Sequence, residues 1–413
     1  MKSIKKELTV ATCTLLSQSP ASVHALENAW DLDSSYLFYS EADDRVTAHK
    51  FAVKAGGDVS DRDRVSLTAV LGTMSGSTPG VAVKISPPSF TGASGGGGGG
   101  GDSTGTLAKF DDTRSGMAIN WAHTHNNNWE IDYGGAVSIE NDYESFNGSI
   151  IINKETPSKH YKFTLGLAVT ADTIFRVGTN STPEPLTIIS DEKFLGEGEK
   201  NTTDIIAGIT HVINRRTVAQ FNLSYSISNG YLTDPYKLFS MVDENTDIAF
   251  GSYYESRPAS RKRASFTMHL NHQTYPANNV IHATYRFYSD DWDVDSHTLI
   301  FGQRFKFSNA KYIEPKVRLY HQSKAFFYQN EFFADVEDNP DPENIPNTFP
   351  EYISADYRLD EMSSIIPEIQ FGAEIGTDDH FRARIGYMYQ SFNASDFSTN
   401  KAIIFQVAYN KRF

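Results

Sequence analysis

The sequence predicts an all-β protein that crosses a membrane as an antiparallel β-barrel, and three observations support this fold class. Segment 401–413 alternates apolar side chains, among them Ile403 and Phe405, with mostly polar ones, and it ends at Phe413. Segments of about ten to thirteen residues with the same alternation recur along the chain. The mean hydropathy is −0.42, so long apolar helices are not expected. An apolar residue at every second position is what a strand needs when one face borders lipid.

The N-terminal segment predicts export from the cytoplasm. Three lysines precede a short apolar stretch, 8–16, and small residues near Ala25 offer a cleavage site. We therefore expect 1–25 to be a signal peptide and 26–413 to form a single outer-membrane β-barrel domain. The only cysteine, Cys13, lies in the predicted signal peptide, so no disulfide framework is expected. Lipid attachment at this cysteine is an alternative that the residues before it disfavour.

Phe413 at the end of an alternating strand resembles the C-terminal signature of bacterial outer-membrane barrels. That resemblance implies the bacterial outer membrane as the location. The alternative is a soluble all-β sandwich or propeller exported to the periplasm. A net charge of −14 argues against nucleic acid as a partner under either interpretation.

The alternating segments give a barrel of about sixteen strands, and fourteen to eighteen also fit the pattern. The segments are 34–41, 45–57, 64–76, 114–125, 129–140, 143–153, 160–171, 203–213, 218–228, 262–274, 279–289, 296–307, 312–326, 365–375, 380–390 and 401–413. The short turns 214–217, 276–279, 308–311 and 376–379 all fall at one end of such a barrel. The long connections 172–202, 229–261 and 327–363 fall at the other end. This asymmetry predicts short periplasmic turns and long extracellular loops.

Alternation also predicts which charged side chains face the lumen. The basic ones are Arg263, His269, Arg286, Arg304, Lys316, Arg318, Arg382 and Arg384, and the acidic ones on an earlier strand are Glu130 and Asp132. A basic wall opposite an acidic wall would orient polar solutes, and a net basic constriction would favour anions. In the alternative, these charges pair across neighbouring strands and fill a narrow lumen. A slip of one residue would invert the assignment of a strand.

The glycine-rich loop 92–105 contains seven consecutive glycines, from Gly95 to Gly101. Its composition predicts a flexible loop, and a bare backbone packed inside the lumen is the alternative. No Gly-Lys-Ser or Gly-Lys-Thr follows the glycines, so the sequence does not indicate a nucleotide-binding loop.

Catalytic and metal-binding patterns are weak throughout the sequence. The pairs His123/His125 and His269/His272 lack the spacing of a metal site. The acidic run 335–343 could hold Ca²⁺, but it lacks the EF-hand spacing and glycine, so a solvated loop is the preferred interpretation. Without a Gly-x-Ser-x-Gly elbow, we expect neither an enzyme nor a cofactor or metal.

Several runs resemble a bacterial family known as domain of unknown function 3570. The most specific is Gly230-Tyr231-Leu232-Thr233-Asp234-Pro235-Tyr236-Lys237, and others are Arg257-Pro258, 285–292 and Tyr357-Arg358-Leu359. The resemblance covers nearly the whole chain after the signal segment. It implies an outer-membrane barrel without assigned biochemistry. Members are often encoded beside a small lipoprotein, a thioredoxin-like protein and a flavin transferase, which implies a lipoprotein or a periplasmic redox partner.

The first of these runs has two interpretations. In the preferred, structural one, Gly230 and Pro235 shape the start of a loop, and Asp234 pairs with Arg257 to fix it. In the other, Gly230, Tyr231, Asp234, Pro235, Tyr236 and Arg257 contribute to a ligand site.

Taken together, the patterns predict a porin-like channel or transporter for small polar solutes, anions among them. Loop 229–261 is expected to fold against or into the lumen as a constriction. A structural or assembly barrel that anchors a periplasmic lipoprotein or redox system is the alternative, and an outer-membrane enzyme is a third. Outer-membrane lipid and lipopolysaccharide are the expected surroundings.

Overall fold

The computed structural model describes residues 30–413 except 44, 80–106, 127, 248, 277–278, 309, 335–349, 377 and 394–397. The predicted signal peptide, the glycine-rich loop 92–105 and the acidic run 335–343 therefore lie outside the described residues. Within the described part, no helix is long and apolar enough to cross a membrane.

The described chain consists almost entirely of β-strands. They are β1 (Trp30–Glu41), β2 (Val46–Asp58), β3 (Asp63–Pro79), β4 (Leu107–His125), β5 (Trp129–Glu140), β6 (Tyr143–Glu155), β7 (Tyr161–Ile174), β8 (Thr182–Pro183), β9 (Phe194–Gly196), β10 (Gly198–Asn214), β11 (Thr217–Gly230), β12 (Leu238–Asp243), β13 (Ala249–Tyr254), β14 (Ser260–Gln273), β15 (Val280–Asp290), β16 (Asp295–Lys306), β17 (Lys311–Gln322), β18 (Glu331–Ala334), β19 (Met362–Ile375), β20 (Asp379–Phe392) and β21 (Thr399–Arg412). Two short 3₁₀ helices cover Ile189–Asp191 and Tyr357–Leu359.

Sixteen of these strands form one closed antiparallel barrel, which confirms the predicted fold class and strand number. Their order is β1, β2, β3, β4, β5, β6, β7, β10, β11, β14, β15, β16, β17, β19, β20 and β21. The barrel closes where β1 pairs with β21, from Asp31 opposite Arg412 to Glu41 opposite Ala402. Closure leaves the barrel without a free edge, so the backbone groups of every strand are paired on both sides.

The two ends of the barrel differ in their connections. At one end, here called the turn end, lie the short connections β2–β3, β4–β5, β6–β7, β10–β11, β14–β15, β16–β17 and β19–β20. At the other end, the loop end, the connections β7–β10, β11–β14 and β17–β19 are long, and they carry β8, β9, β12, β13, β18 and both 3₁₀ helices. The four predicted short turns all lie at the turn end.

The barrel strands carry apolar side chains on the outer face and mostly small or polar ones on the lumen face. A buried apolar cluster that includes Tyr39, Met74 and Met388 is the exception on the lumen face. On β7, Phe163, Leu165, Leu167 and Val169 are all exposed, while Asp172 is buried. The alternation on β20 is the same, with Ile385, Tyr387 and Tyr389 exposed, as predicted. Because β-branched, aliphatic and aromatic residues suit strands, the same residues favour the strand conformation and form the outer surface. A continuous apolar surface of this extent is unusual in water.

The three long connections fold together at the loop end into a compact unit, here called the cap. It comprises the described residues of 175–197, 231–259 and 323–361. Its centre is a three-stranded sheet in the order β13, β12, β18, and its core is made by Phe239, Met241, Tyr253 and Ile353, each at most 1 % exposed. Burying side chains of this size stabilises the unit by roughly 1.5–3 kcal/mol each relative to exposure.

Strand pairing joins the connections to one another. Strand β12 runs parallel to β18, with Ser240 opposite Glu331, so the β11–β14 connection is hydrogen-bonded to the β17–β19 connection. Isolated bridges add Ile188 to Tyr253 and Ser256 to Ile353. All three long connections therefore form one folded layer.

Candidate functional site

The cap crosses the mouth of the barrel. Lys237, from the β11–β14 connection, and Arg45, from the β1–β2 turn, each place their cationic group 5.6 Å from the ring centroid of Tyr357. In the barrel order, β2, β3, β4, β5, β6, β7, β10 and β11 lie between those two connections, which is half of the sixteen strands. Tyr357 thus links opposite sides of the rim. Its ring also meets that of Phe392 edge-on at 5.2 Å, which attaches the cap to β20.

The residues at the start of the β11–β14 connection build the base of the cap. Gly230 has a φ of +113°, and a Cβ there would collide with the carbonyl oxygen of Glu199. Tyr231 packs over Gly198, and the hydroxyl of Tyr236 accepts a hydrogen bond from the backbone N–H of Val177 at 3.0 Å. Gly230 shapes the start of the loop, as the structural interpretation predicts, because only glycine adopts this backbone conformation next to another backbone without strain.

Pro235 and Asp234 form a tight turn inside this base, and both are buried. The carboxylate of Asp234 accepts a hydrogen bond from the backbone N–H of Tyr236 at 3.0 Å. Such a side-chain turn fixes the backbone locally and leaves the other carboxylate oxygen for a more distant partner.

That partner is Arg358, in the β17–β19 connection. Asp234 Oδ2 lies 3.1 Å from Arg358 Nη2, whereas Arg257 Nε lies 2.6 Å from Glu255 Oε1 and Arg257 Nη2 lies 2.9 Å from Asp356 Oδ2. Glu255 follows β13 directly and is therefore closer to Arg257 than the turn at Asp234 is. Arg257 and Arg358 share Asp356, since Arg358 also contacts this carboxylate with 2.7 Å from Nε to Oδ1. The negative charge of Asp234 also acts on Arg257.

Glu255 is the central group of this charge cluster. Its side chain is fully buried, its Oε1 accepts a hydrogen bond from the backbone N–H of Asp234 at 2.8 Å, and its Oε2 accepts one from Ser354. Burial, opposed by the charge of Arg257, raises the pKa of Glu255 to about 7 from an ordinary value of 4.5. Its protonated and ionised forms are therefore close in free energy near neutral pH.

The two arginines experience opposite effects. Burial works against the charge of Arg257, but the carboxylates of Glu255, Asp356 and Asp234 outweigh it and raise the pKa of Arg257. Burial lowers the pKa of Arg358 to about 10. Both guanidinium groups are charged near neutral pH, so an ionised Glu255 shares these two cations with Asp234 and Asp356 in a buried site.

Several of the predicted lumen residues are paired with neighbours on the basic wall. Arg304 Nε donates to Glu314 Oε2 at 2.8 Å, and Lys316 Nζ lies 3.1 Å from Glu314 Oε1. Arg384 lies 3.3 Å from Glu368. For these residues, the alternative of local pairing across adjacent strands describes the geometry.

Two more predicted residues are held by hydroxyl groups instead of carboxylates. Arg263 Nη2 donates to the hydroxyls of Ser226 and Ser228, both at 2.7 Å. His269 Nδ1 lies 2.9 Å from Thr284 Oγ1. Arg382 lies two positions before Arg384, on the same face of β20.

Glu130 and Asp132 lie on the face of β5 opposite the exposed Trp129, Tyr133 and Val137. The amide of Asn153 donates to both carboxylates, at 3.2 Å and 3.0 Å, and Lys162 Nζ lies 3.7 Å from Glu130. In the barrel order, eight steps separate β5 from β17, the strand that carries Lys316. The acidic and basic walls are therefore opposite each other.

Arg286 and Arg318 differ from Arg304 and Arg384, which are paired with carboxylates. Among the residues that the structure describes, no carboxylate forms an ion pair with Arg286 or Arg318. Each guanidinium instead lies over a tyrosine two positions later on its own strand, at 5.4 Å from Tyr288 and 5.3 Å from Tyr320. Thr298, on the strand between, is opposite both Arg286 and Tyr320. Cation–π contacts hold these side chains without neutralising their charge.

One group of carboxylates has the spacing of a cation site. Oxygens of Asp112, Glu140 and Asp142 lie within 4.8 Å of one another at the loop end. Arg114 Nε lies 3.6 Å from Glu140 Oε1 and offsets part of the negative charge. We therefore assign no metal to this group.

Comparison with known families shows which family the chain belongs to. The family described as "Protein of unknown function (DUF3570)" matches residues 5–406, which is nearly the whole sequence. The chain belongs to the DUF3570 family. No curated protein matches this DUF3570 chain.

Solved structures give only distant similarities. OpdK, an outer-membrane protein from Pseudomonas aeruginosa, shares 8% identity at a TM-score of 0.42, covering 94% of this chain and 99% of that one. A structure titled "CymD monoaromatic hydrocarbon channel" shares 7% at 0.41, covering 96% and 92%. A mutant of PfeA, the ferric enterobactin receptor from Pseudomonas aeruginosa, shares 7% at 0.43, and the match covers 88% of the DUF3570 chain and 53% of the receptor. The DUF3570 chain thus spans about half the length of that receptor. The barrel architecture of the DUF3570 chain is established by its own strand order and register, and not by these distant similarities.

Proposed function

We propose that this DUF3570 protein is an outer-membrane channel for small anionic solutes, with the cap restricting entry at the loop end. The observation that carries the proposal is the pair Arg286 and Arg318. They are two cations without a carboxylate partner among the described residues, on a lumen face where Arg304, Lys316 and Arg384 are paired with carboxylates. Uncompensated positive charge inside a low-dielectric wall raises the local concentration of anions.

The outer surface supports insertion in a membrane. Trp30, Trp121 and Trp129 are exposed near the turn end, and Phe38 and Phe287 lie three residues from the loop end of their strands. Eight residues from Trp30 to Phe38 span roughly 26 Å along a strand, or about 20 Å along the axis of a barrel tilted by about 40°. Transmembrane barrels have an apolar band about 25 Å tall between aromatic belts, which fits this spacing.

The arrangement of connections supports one orientation. Outer-membrane barrels have short turns in the periplasm and long loops outside the cell. We therefore orient the turn end toward the periplasm, which exposes the cap at the cell surface. A lipoprotein or redox partner at the turn end stays a prediction from the family resemblance.

Reversal potentials in planar lipid bilayers test the proposal. Purified protein in a KCl gradient should conduct, with a reversal potential displaced toward that of chloride. A folded barrel, verified by far-UV circular dichroism, that gives no conductance would overturn the channel assignment. A conducting barrel with a potential displaced toward that of potassium would overturn the anion preference alone.

A further inference from the structure

Two histidines face each other on the outer surface of the barrel. His297 on β16 is directly opposite His321 on β17, and both are exposed. Two residues closer to the turn end, the same outer face of these strands carries Leu299 and Leu319. Both leucines are exposed, and they too are directly opposite each other. The histidines therefore lie at the border of the apolar outer surface that is nearer the loop end.

Hydroxyl groups orient both rings. His297 Nδ1 lies 2.8 Å from the hydroxyl of Tyr285, and His321 Nδ1 lies 3.0 Å from the hydroxyl of Ser363. When Nδ1 accepts a hydrogen bond from a hydroxyl, the hydrogen of a neutral imidazole resides on Nε2. Both rings then present an N–H donor from the same patch of the outer wall.

A polar row extends this patch around the barrel. Ser363 is opposite His321 and also Ser391, which in turn is opposite Thr399. Asp295 lies two residues from His297 on the same face, toward the loop end, and it marks the limit of the patch on that side. Polar side chains facing hydrocarbon are costly, but near the interface that cost falls almost to zero. The row therefore marks the level of lipid headgroups on this side of the barrel.

The chain contains a close copy of one half of the patch. His49 Nδ1 lies 2.8 Å from the hydroxyl of Tyr36, and its ring centroid is 5.3 Å from that of Phe38. For His297 the corresponding contacts are 2.8 Å to Tyr285 and 5.2 Å to Phe287. The residue opposite His49 on the next strand is Thr73, not a second histidine. The copy thus has one imidazole where the patch on β16 and β17 has two.

We propose that His297 and His321, the latter oriented by Ser363, bind the phosphate of a membrane lipid at the outer edge of the apolar surface. The inference rests on the proposed insertion in a membrane, but not on channel activity. Two imidazole N–H donors offer the hydrogen bonds that phosphate oxygens accept, and phosphate makes them shorter and stronger than neutral acceptors do. A phosphorylated glycolipid and a glycerophospholipid share this chemistry.

Native mass spectrometry of the detergent-solubilised protein tests the site. The lipids titrated are bis-phosphorylated lipid A, its dephosphorylated form and phosphatidylglycerol. We expect the wild type to bind at least one phosphorylated lipid about tenfold more tightly than dephosphorylated lipid A, which corresponds to about 1.4 kcal/mol. The preferred phosphorylated lipid identifies the source of the phosphate.

Two variants distinguish binding by the His297–His321 pair from an effect that any exposed histidine would have. H297Q/H321Q should lose the preference for phosphate, while H49Q, which removes a histidine with the same tyrosine and phenylalanine neighbours, should keep it. Equal binding of phosphorylated and dephosphorylated lipid by the wild type, or an equal loss in H49Q, would overturn the proposal. Bilayer conductance is a separate measurement, so a barrel that does not conduct but retains the lipid refutes the channel and not the lipid site.

Discussion

Arg257 donates a hydrogen bond to the carboxylate of Asp356 over 2.9 Å, although 99 residues separate them in the sequence. The first residue belongs to the β11–β14 connection and the second to the β17–β19 connection. Their contact therefore closes a loop that contains β14, β15, β16, β17 and β18, and it does so at the mouth of the barrel. Because both groups are almost completely buried, the contact depends on each partner being present.

The cap therefore combines two kinds of stabilisation. Apolar burial around Phe239 and Ile353 supplies a non-directional contribution, and the charge cluster fixes which parts of the connections meet. Substituting one member of the cluster should loosen the cap while the barrel, held by its own hydrogen-bond ladder, stays closed.

Substitution of Arg257 should release the cap. Arg257→Met leaves Glu255 and Asp356 without their shared cation, and removing one partner of a buried ion pair costs about 3–5 kcal/mol. We expect the cap to become sensitive to limited proteolysis at a protease concentration that leaves the wild type intact. Far-UV circular dichroism should change little. Arg62→Met, at an exposed turn, is the control, and equal resistance of R257M and wild type would contradict the expectation.

The cap should become less stable as the pH rises toward neutrality. Burial raises the pKa of Glu255 to about 7 in the folded protein, compared with an ordinary value of 4.5. Between these two values, the folded state binds more protons than the unfolded state, so its stability falls with increasing pH and levels off above 7. Since one pKa unit corresponds to about 1.4 kcal/mol, the total change is on the order of a few kcal/mol.

Hydrogen exchange of cap amides, corrected for intrinsic rates and measured across this pH range, checks that expectation. Protection should decrease from low to neutral pH in the wild type, and E255Q should flatten the dependence. E197Q, at an exposed glutamate of the β7–β10 connection of the cap, should keep the wild-type profile. A wild-type profile in E255Q would show that another group controls the cap.

The barrel could be predicted from the sequence because alternation is a local signal. Every barrel strand exposes one apolar face, so a segment such as 380–390 carries its own evidence, and β20 confirms it with ends at Asp379 and Phe392. The lumen positions of Arg304 and Glu130 follow from the same periodicity.

The cap could not be predicted from the same reasoning because its contacts join distant segments. Strand β12 pairs with β18 across about ninety residues, and no periodicity links them. A weaker signal was present: Leu238, Phe239, Met241 and Val242 form an apolar run inside a connection otherwise expected to be polar, and all four are buried. The contacts of Arg257 with Asp356 and of Asp234 with Arg358 were missed for the same reason, since Asp356 and Arg358 lie in another connection.

Gly230 should not tolerate a side chain. Its φ of +113° lies in the left-handed region, and a Cβ would collide with the backbone of Glu199, so Gly230→Ala should lower the melting temperature of the cap. We expect a loss of at least about 1 kcal/mol. Gly148→Ala is a matched control on a barrel strand, because a Cβ there meets no atom within 4 Å. A similar small effect of both substitutions would contradict the assigned backbone conformation.

Arg286 and Arg318 should set the ion preference of the lumen. Replacing both by glutamine removes two positive charges that no described carboxylate offsets, so the reversal potential in a KCl gradient should move from the chloride side toward the potassium side. K262Q/K401Q removes two charges from exposed positions on the outer face and is the control of equal net charge. R384Q tests a paired cation: its loss leaves Glu368 in excess, so it should also reduce anion preference. An unchanged potential in R286Q/R318Q would assign the selectivity to the cap or to the paired residues.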